Sequence, residues 1–342
     1  VNTIKDHYPH ITPLIAALFD RGDLPNVRSI DIEPRYGYAT RMTYVNGAVR
    51  ITRSTDIGVN SSAAAAIAKD KDYTKHFLTK LGIDCPPGVT LVMPWWAAKI
   101  RLPANVNRPL HEALRPLRES GLYPVYVKPV DGCKGLDVWR CETEPDVLAV
   151  FERYERERIR VAVVESEIRL PDYRIVVLDG SVICTYRRDP LSVIGDGAST
   201  IADLAERRMA QLQGGGRAVI PHDEARIARR LKGLGLTMAS VIPRGEVVVL
   251  LDVSNLSAGG TGTDFSSQAD SRWTDLACHI ARALGLRFCG VDIACPDITQ
   301  NTGPYSVLEV NAAPGLDHFA AIGHDQDRLV EDIYRRVLNT LP

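Results

Sequence analysis

Two strand-like runs, Tyr173–Leu178 and Ser181–Arg187, are separated only by Asp179-Gly180. So short an Asp-Gly link forces its flanking strands to run antiparallel, because its central residues adopt positive φ that matches the twist of a hairpin. Asn46-Gly47 sends the same signal within Arg35–Ser54. Further strand-length runs fall at Tyr123–Lys128, Val138–Arg140, Val161–Glu165, Glu246–Asp252, Phe288–Ala294 and Tyr305–Asn311. Helical spacing marks Pro13–Phe19, Ala63–Ala68 behind Asn60-Ser61-Ser62, Tyr73–Leu81, Pro145–Arg158, Trp273–Leu284 and Asp325–Leu341. Antiparallel pairs interleaved with helices predict an α+β chain, not the βαβ alternation of a dinucleotide-binding sheet. Gly195–Gly235 reads as a mostly helical insertion with a flexible Gly214-Gly215-Gly216.

With 342 residues the chain can build two or three subdomains around a substantial core. Its formal net charge of −1 provides no global basic field, so neither nucleic acid nor an anionic membrane is an expected partner. No apolar run reaches membrane-spanning length, and no signal-peptide core opens the sequence, so a cytoplasmic location is expected. The seven cysteines show no close CxxC pair, which suggests reduced thiols. Cys289 and Cys295 sit in apolar surroundings and read as structural, while Cys133, inside a glycine-rich loop, is assigned no catalytic role.

Three constellations carry chemistry. In the first, Lys71 and Lys128 accompany the loop Asp131-Gly132-Cys133-Lys134-Gly135, with Lys128 ending an apolar strand. Glycine-lined backbone and fixed point charges are what a phosphate requires, and a lysine at a buried strand end is costly without an anion. The bland alternative is a surface turn with a solvated lysine. In the second, Glu309 and Asn311 are two apart on one strand and share a face, and Asp292 on a neighbouring strand can pair alongside. Two carboxylates and an amide oxygen suit Mg²⁺, although the same residues could line a solvated sheet face. In the third, Val163-Val164-Glu165-Ser166-Glu167-Ile168 ends an apolar strand in acids, followed by Asp172-Tyr173-Arg174. A segment crossing between subdomains can offer its backbone to an adenine edge and a carboxylate to ribose hydroxyls.

In this order the pieces resemble the ATP-grasp superfamily, most narrowly the ATP-grasp portion of cyanophycin synthetases and bifunctional glutathione synthetases. The resemblance runs from about Arg35 to the C-terminus. Its specific parts are Ile67–Lys75, Val127–Gly132, Val193–Gly197, Asn255–Thr261 and Glu309–Leu316. It implies an α+β ATP-grasp fold in which two lobes grip ATP. Residues 1–60 are then a small cap, 61–165 the first lobe, and 166–342 the second, with the insertion at about 195–235. Lys71 and Lys128 would meet the phosphates beneath a loop containing Asp131, Gly132 and Gly135. Glu165, Ser166, Glu167 and Ile168 would form the adenine hinge, with Asp172 at the ribose. Asp292, Glu309 and Asn311 match magnesium ligands, two ions being expected, with Mn²⁺ able to substitute. Arg174 and Arg188 match arginines near the transferred phosphate and the acceptor. Two features depart from the family: Arg169-Leu170-Pro171 stands where glycine is usual, and the phosphate loop has fewer glycines and an added Lys134.

The implied activity is an ADP-forming carboxylate–amine ligase that works through an acyl phosphate, with Lys128, Arg174 and Arg188 as catalytic groups. Its substrates would be amino acids or short peptides, and a homodimer is plausible by analogy. A thiol or carrier-protein acceptor, a kinase-like reaction that stops at phosphorylation, and a non-catalytic nucleotide-binding protein are the alternatives. His318 is expected to cap or pack a helix, or to lie near the acceptor.

Overall fold

A computed structural model describes residues 11–103, 108–132, 135, 137–214 and 224–340. It opens with helix α1 (Thr12–Asp20) and a three-stranded antiparallel sheet, β1 (Val27–Ile32), β2 (Ala39–Tyr44) and β3 (Val49–Arg53). Asn46-Gly47 turns β2 into β3 as expected, with Gly47 at φ +86° donating its N–H to the Tyr44 carbonyl. The hairpin begins at Ala39, later than the sequence suggests, because the Glu33 carboxylate collects the N–H groups of Arg35, Tyr36 and Gly37 into a separate turn.

Two helices follow, α2 (Ser62–Lys69) and α3 (Lys71–Lys80). Ser61 caps the first, accepting from the Ala64 N–H, and Asp70 caps the second, accepting from Asp72 and Tyr73. The next stretch holds β4 (Gly88–Val92), α4 (Pro94–Ile100), α5 (Leu110–Ala113), α6 (Arg115–Glu119), β5 (Val125–Pro129), β6 (Trp139–Cys141), α7 (Glu144–Arg156) and β7 (Val161–Ser166). Its strands form one sheet in the order β4-β7-β5-β6. Val125, Val127, Ala162 and Val164 face α7 and its neighbours in a core of their own, which also takes in Trp139, Phe151 and Tyr154. Because side chains alternate across a strand, Tyr126 and Lys128 point to the opposite face.

The chain then forms β8 (Asp172–Leu178) and β9 (Ser181–Asp189), β10 (Ser192–Ile194), helices α8 (Ile201–Gly214) and α9 (Glu224–Gly233), β11 (Val247–Val249) and β12 (Thr261–Asp264). It ends with α10 (Ser271–Ala283), β13 (Phe288–Ala294), β14 (Ser306–Asn311), α11 (Asp317–Ala320) and α12 (His324–Asn339). A five-stranded sheet runs β12-β9-β8-β13-β14, antiparallel throughout. The run Glu246–Asp252 does not join it. Only Val247–Val249 is strand, paired with Ser192–Ile194 in a two-stranded ribbon at the foot of the insertion. Gly215 and Gly216 lie outside the described residues, as do Cys133 and Lys134 of the phosphate loop.

The five-stranded sheet is covered on both faces. Tyr173, Ile175, Val177, Cys289, Val291 and Ile293 face Trp273, Ala277 and Ile280 of α10. Ala68, Leu78 and Ile83 pack into this same core, so α2 and α3, the latter carrying Lys71, lie against β14 although they precede the first-sheet strands in sequence. On the other face Val176, Tyr186 and Phe288 meet α12 and the N-terminal sheet residues Met42 and Tyr44. That second face is apolar only toward one end of the strands. At the other end it carries Asp172, Arg174, Arg188, Asp292, Glu309 and Asn311, the residues around which the cleft is built.

Candidate active site

Between the two larger sheets lies a cleft of about 510 Å³, a size typical of small-molecule sites. Strand register assembles one wall. Asp292 on β13 lies opposite Arg174 on β8 and opposite Glu309 on β14, and Asp172 on β8 lies opposite Arg188 on β9. Arg174 grips Asp292 with a bidentate pair, both contacts at 2.7 Å. Arg188 Nη2 reaches both oxygens of Asp172 at 2.8 Å and Asp292 Oδ2 at 2.9 Å. Asn311 Nδ2 donates to the same Oδ2 at 3.4 Å. Gly290 makes the packing possible: a Cβ there would come within 3.2 Å of Arg174 Cδ and of Pro314 Cβ.

The opposite wall comes from β5, β7 and α3. Lys128 Nζ is 2.7 Å from Glu165 Oε2, and Lys75 Nζ is 3.4 Å from Glu165 Oε1. Lys71 joins the walls: its Nζ is 3.2 Å from Glu309 Oε1 and donates to the Gly132 carbonyl at 2.7 Å. The start of α3 is tied to the end of β5 by Lys71 N–H donating to the Val130 carbonyl at 3.1 Å. Lys71 and Lys128 therefore face one cleft together with Asp292, Glu309 and Asn311.

Desolvation sets the electrostatics. Burial alone would raise the Glu165 carboxyl, but Lys128 and Lys75 hold it below the usual carboxylate range. Burial works to lower Lys128 in the same way, and Glu165 outweighs it, so the ammonium is held more firmly than usual. Asp292 would also rise on burial, yet Arg174 and Arg188 keep it low. Asp172 goes the other way. Burial, helped by the neighbouring Asp292, pushes it up to about 6 against the pull of Arg188. Arg188 Nε is buried and has no acceptor among the described residues.

A profile described as the RimK-like ATP-grasp domain matches residues 253–333, the segment that supplies Asp292, Glu309 and Asn311. This chain carries a RimK-like ATP-grasp domain. Its fold agrees with that of a crystallised bifunctional glutathione synthetase from Pasteurella multocida, with a TM-score of 0.57 and 20% identity over 97% of this chain and 45% of that one. In sequence it is 31% identical over 265 residues to a cyanophycin synthetase of Trichormus variabilis, covering 73% of this chain and 27% of that protein. It is 26% identical over 295 residues to the glutathione biosynthesis bifunctional protein GshAB of Pasteurella multocida, covering 82% and 37%. The chain thus spans less than a third of the length of the cyanophycin synthetases it matches.

The residues present fit the groups this fold uses. The cleft has nucleotide size, two lysines line it, and an orphaned guanidinium N–H suits an anion. Asp292, Glu309 and Asn311 are a hard-oxygen set of the kind Mg²⁺ takes alongside phosphate and water. Among the described residues no group of three or more His, Cys, Asp and Glu side chains could hold a metal by itself. Any divalent ion here would thus depend on the amide and on ligand oxygens.

The other sequence-derived positions divide. Gly132, Gly135, Ser166, Ile168 and Asp172 line the cleft. The hinge backbone is partly committed: Ser166 N–H donates to the Pro87 carbonyl and Glu167 N–H to that of Pro124. The Ile168 N–H donates to no backbone carbonyl among the described residues. The Glu165 carboxylate points to lysines. That of Glu167 is drawn away by Arg140 and Arg169, each at 2.7 Å. Asp131 is exposed. Asp172, expected at a ribose, is already engaged by Arg188. His318 lines the cleft, its Nε2 3.4 Å from Asp317 Oδ2.

Sequence reasoning did not single out Lys75, Tyr126 or Asp252. Lys75 follows Lys71 by one helical turn and so shares its face, a signal available from spacing alone. Tyr126 alternates with Lys128 on β5, and its hydroxyl donates to the Asp252 carbonyl at 3.1 Å. The Asp252 carboxylate meets Arg230 of α9 at 3.1 Å, and Arg226 donates to the Gly135 carbonyl at 2.9 Å, so the insertion touches the loop. Nothing in the sequence signals those long-range contacts.

Proposed function

We propose that this chain is an ATP-dependent, ADP-forming ligase that activates a carboxylate as an acyl phosphate and transfers the acyl group to an amine. The observation that carries the reading is the meeting, in one cleft, of Lys71 and Lys128 with Asp292, Glu309 and Asn311. The carboxylates now paired with the lysines occupy positions where triphosphate oxygens could take over. Residues 61–165 and 166–342 are assigned to the two gripping lobes, with 1–60 as a cap. The names of the relatives, a synthetase and a glutathione biosynthesis protein, support amino-acid or short-peptide substrates.

In this account Lys71 and Lys128 neutralise charge on the transferring phosphoryl group while the substrate carboxylate attacks in line. Ile168 offers its N–H to the adenine edge. Asp292, Glu309 and Asn311 would hold Mg²⁺ or Mn²⁺, two ions by family resemblance, and such an ion supplies charge neutralisation at the phosphates. The amine then attacks the acyl carbon, and collapse of the adduct breaks the C–O bond, releasing inorganic phosphate while the amine's proton passes to solvent. The developing oxyanion needs a fixed cation. Arg188 is assigned that task, with its orphaned Nε as a spare donor and Asp172 orienting the guanidinium more than binding ribose. Arg174 clamps Asp292. The six cysteines described are all free, which suits a reducing compartment.

The test is an ADP-release screen over amino acids and short peptides supplied in donor–acceptor pairs, with products identified by mass spectrometry. An amide product formed in step with ADP is expected. A stable phosphorylated product without condensation would make the protein a kinase, and nucleotide binding without turnover would make it non-catalytic.

A further inference from the structure

Lys75 has no task in the reaction above, yet from a recess beside the cleft it reaches Glu165, which lines the cleft. Its side chain is 22% exposed and lies in a small recess with Ala68, Leu78 and Cys85. The helix that carries it is fixed at its start by the Asp70 cap, by Lys71 N–H on the Val130 carbonyl, and by the Thr74 hydroxyl on the Ile67 carbonyl at 2.8 Å. Lys75 therefore approaches Glu165 from a rigid element, while Lys128 approaches the other carboxylate oxygen from β5.

Glu165 is only 6% exposed on its side chain and is shared by these two cations. A phosphate that draws Lys128 toward itself competes with Glu165 for the ammonium's charge and weakens their 2.7 Å contact. A buried carboxylate stripped of its partners is strongly penalised, so the second cation determines whether the first can be released. We propose that Lys75 is a positioning residue: it keeps Glu165 neutralised when Lys128 turns to the nucleotide, and so sets the affinity for ATP without touching it. The proposal rests on the nucleotide reading given above and assigns a role within that same site.

The test is calorimetric titration of MgATP into the wild type, Lys75→Met, Lys75→Arg and the double variant Lys75→Met/Glu165→Gln, with thermal denaturation of each. With Lys75→Met, Glu165 depends on Lys128 alone, and affinity is expected to fall about tenfold, the worth of one charge-assisted bond. Lys75→Arg should bind nearly as the wild type does. The double variant should recover most of the loss, because no bare carboxylate is left to hold Lys128. If Lys75→Met does not fold, the double variant is still expected to fold and bind, and its failure to bind would overturn the proposal. Lys75→Met binding as tightly as wild type while losing thermal stability would mean a merely structural ion pair, and would also overturn it. So would a double variant no tighter than the single. A wild type that does not bind MgATP would sink the nucleotide reading and this proposal together, whereas the preceding failures leave the nucleotide reading standing.

Discussion

Asp292 is the most heavily used side chain of the cleft. It is 2% exposed and takes both hydrogen bonds of Arg174, one contact from Arg188 and one from Asn311. Two guanidiniums and two aspartates, Asp172 and Asp292, thus balance on one wall of the cleft. Removing one carboxylate leaves two buried arginines sharing the other. Asp292→Asn is therefore expected to cost about 3–5 kcal/mol of folding stability, measured by denaturant titration. A loss under about 1 kcal/mol would mean that solvent screens the cluster as it screens surface pairs. At this scale the sequence was readable where polarity conflicts with its setting. An acid inside Phe288–Ala294, a strand buried along its whole length, has to have a partner, and so does a lysine at the end of β5. That Lys75 shares a face with Lys71 was readable from spacing, but its partner was not. A second lysine one turn after the first looks the same whether it meets solvent or a buried carboxylate.

Elements show a similar division. The hairpin β8–β9 and the pair β13–β14 could be read from apolar runs bounded by turn signals, since each is buried on both faces of the five-stranded sheet. Strand β12, Thr261–Asp264, could not. Gly262 and Asp264, half of its residues, are poor strand formers, and it is a strand because β9 offers it a ladder. The reverse happened at Glu246–Asp252, whose apolar pattern extends beyond the three residues that pair. The last helix, α12, shows how distant elements are secured. Arg50 of β3, 2% exposed, donates to the Val337 carbonyl at 2.6 Å and to that of Thr340 at 3.0 Å. Tyr44 of β2 donates to the Leu338 carbonyl at 2.8 Å. The guanidinium thus serves the carbonyls at a helix C-terminus, where cations are favoured. Arg50→Met is expected to cost about 1–3 kcal/mol, chiefly through the Thr340 carbonyl, since that of Val337 keeps the N–H and hydroxyl of Thr340, with faster amide exchange confined to the last turns of α12 and to β3. Exchange unchanged there would mean that the helix end is held by apolar packing alone.

Across the whole molecule, one property of the five-stranded sheet links fold to chemistry. Its face toward α12 is apolar at one end, where Val176, Tyr186 and Phe288 bury against the N-terminal sheet. At the other end the same strands carry the ion-pair cluster, so the packing that stabilises the fold also fixes the register of the charged groups. The first sheet brings Lys128 and Glu165 to the other side of the gap, and Lys71 spans it to Glu309. The sequence could supply the parts and their order, but not that both lysines rest on carboxylates, because that depends on how two sheets face each other. The most direct measurement is a crystal structure of this chain with MgAMPPNP, a non-hydrolysable ATP analogue. The account expects the triphosphate between the sheets, with Lys71 and Lys128 turned onto its oxygens and the metal on Asp292, Glu309 and Asn311. Nucleotide bound elsewhere, or bound here with Lys128 still on Glu165 and Lys71 still on Glu309, would contradict it.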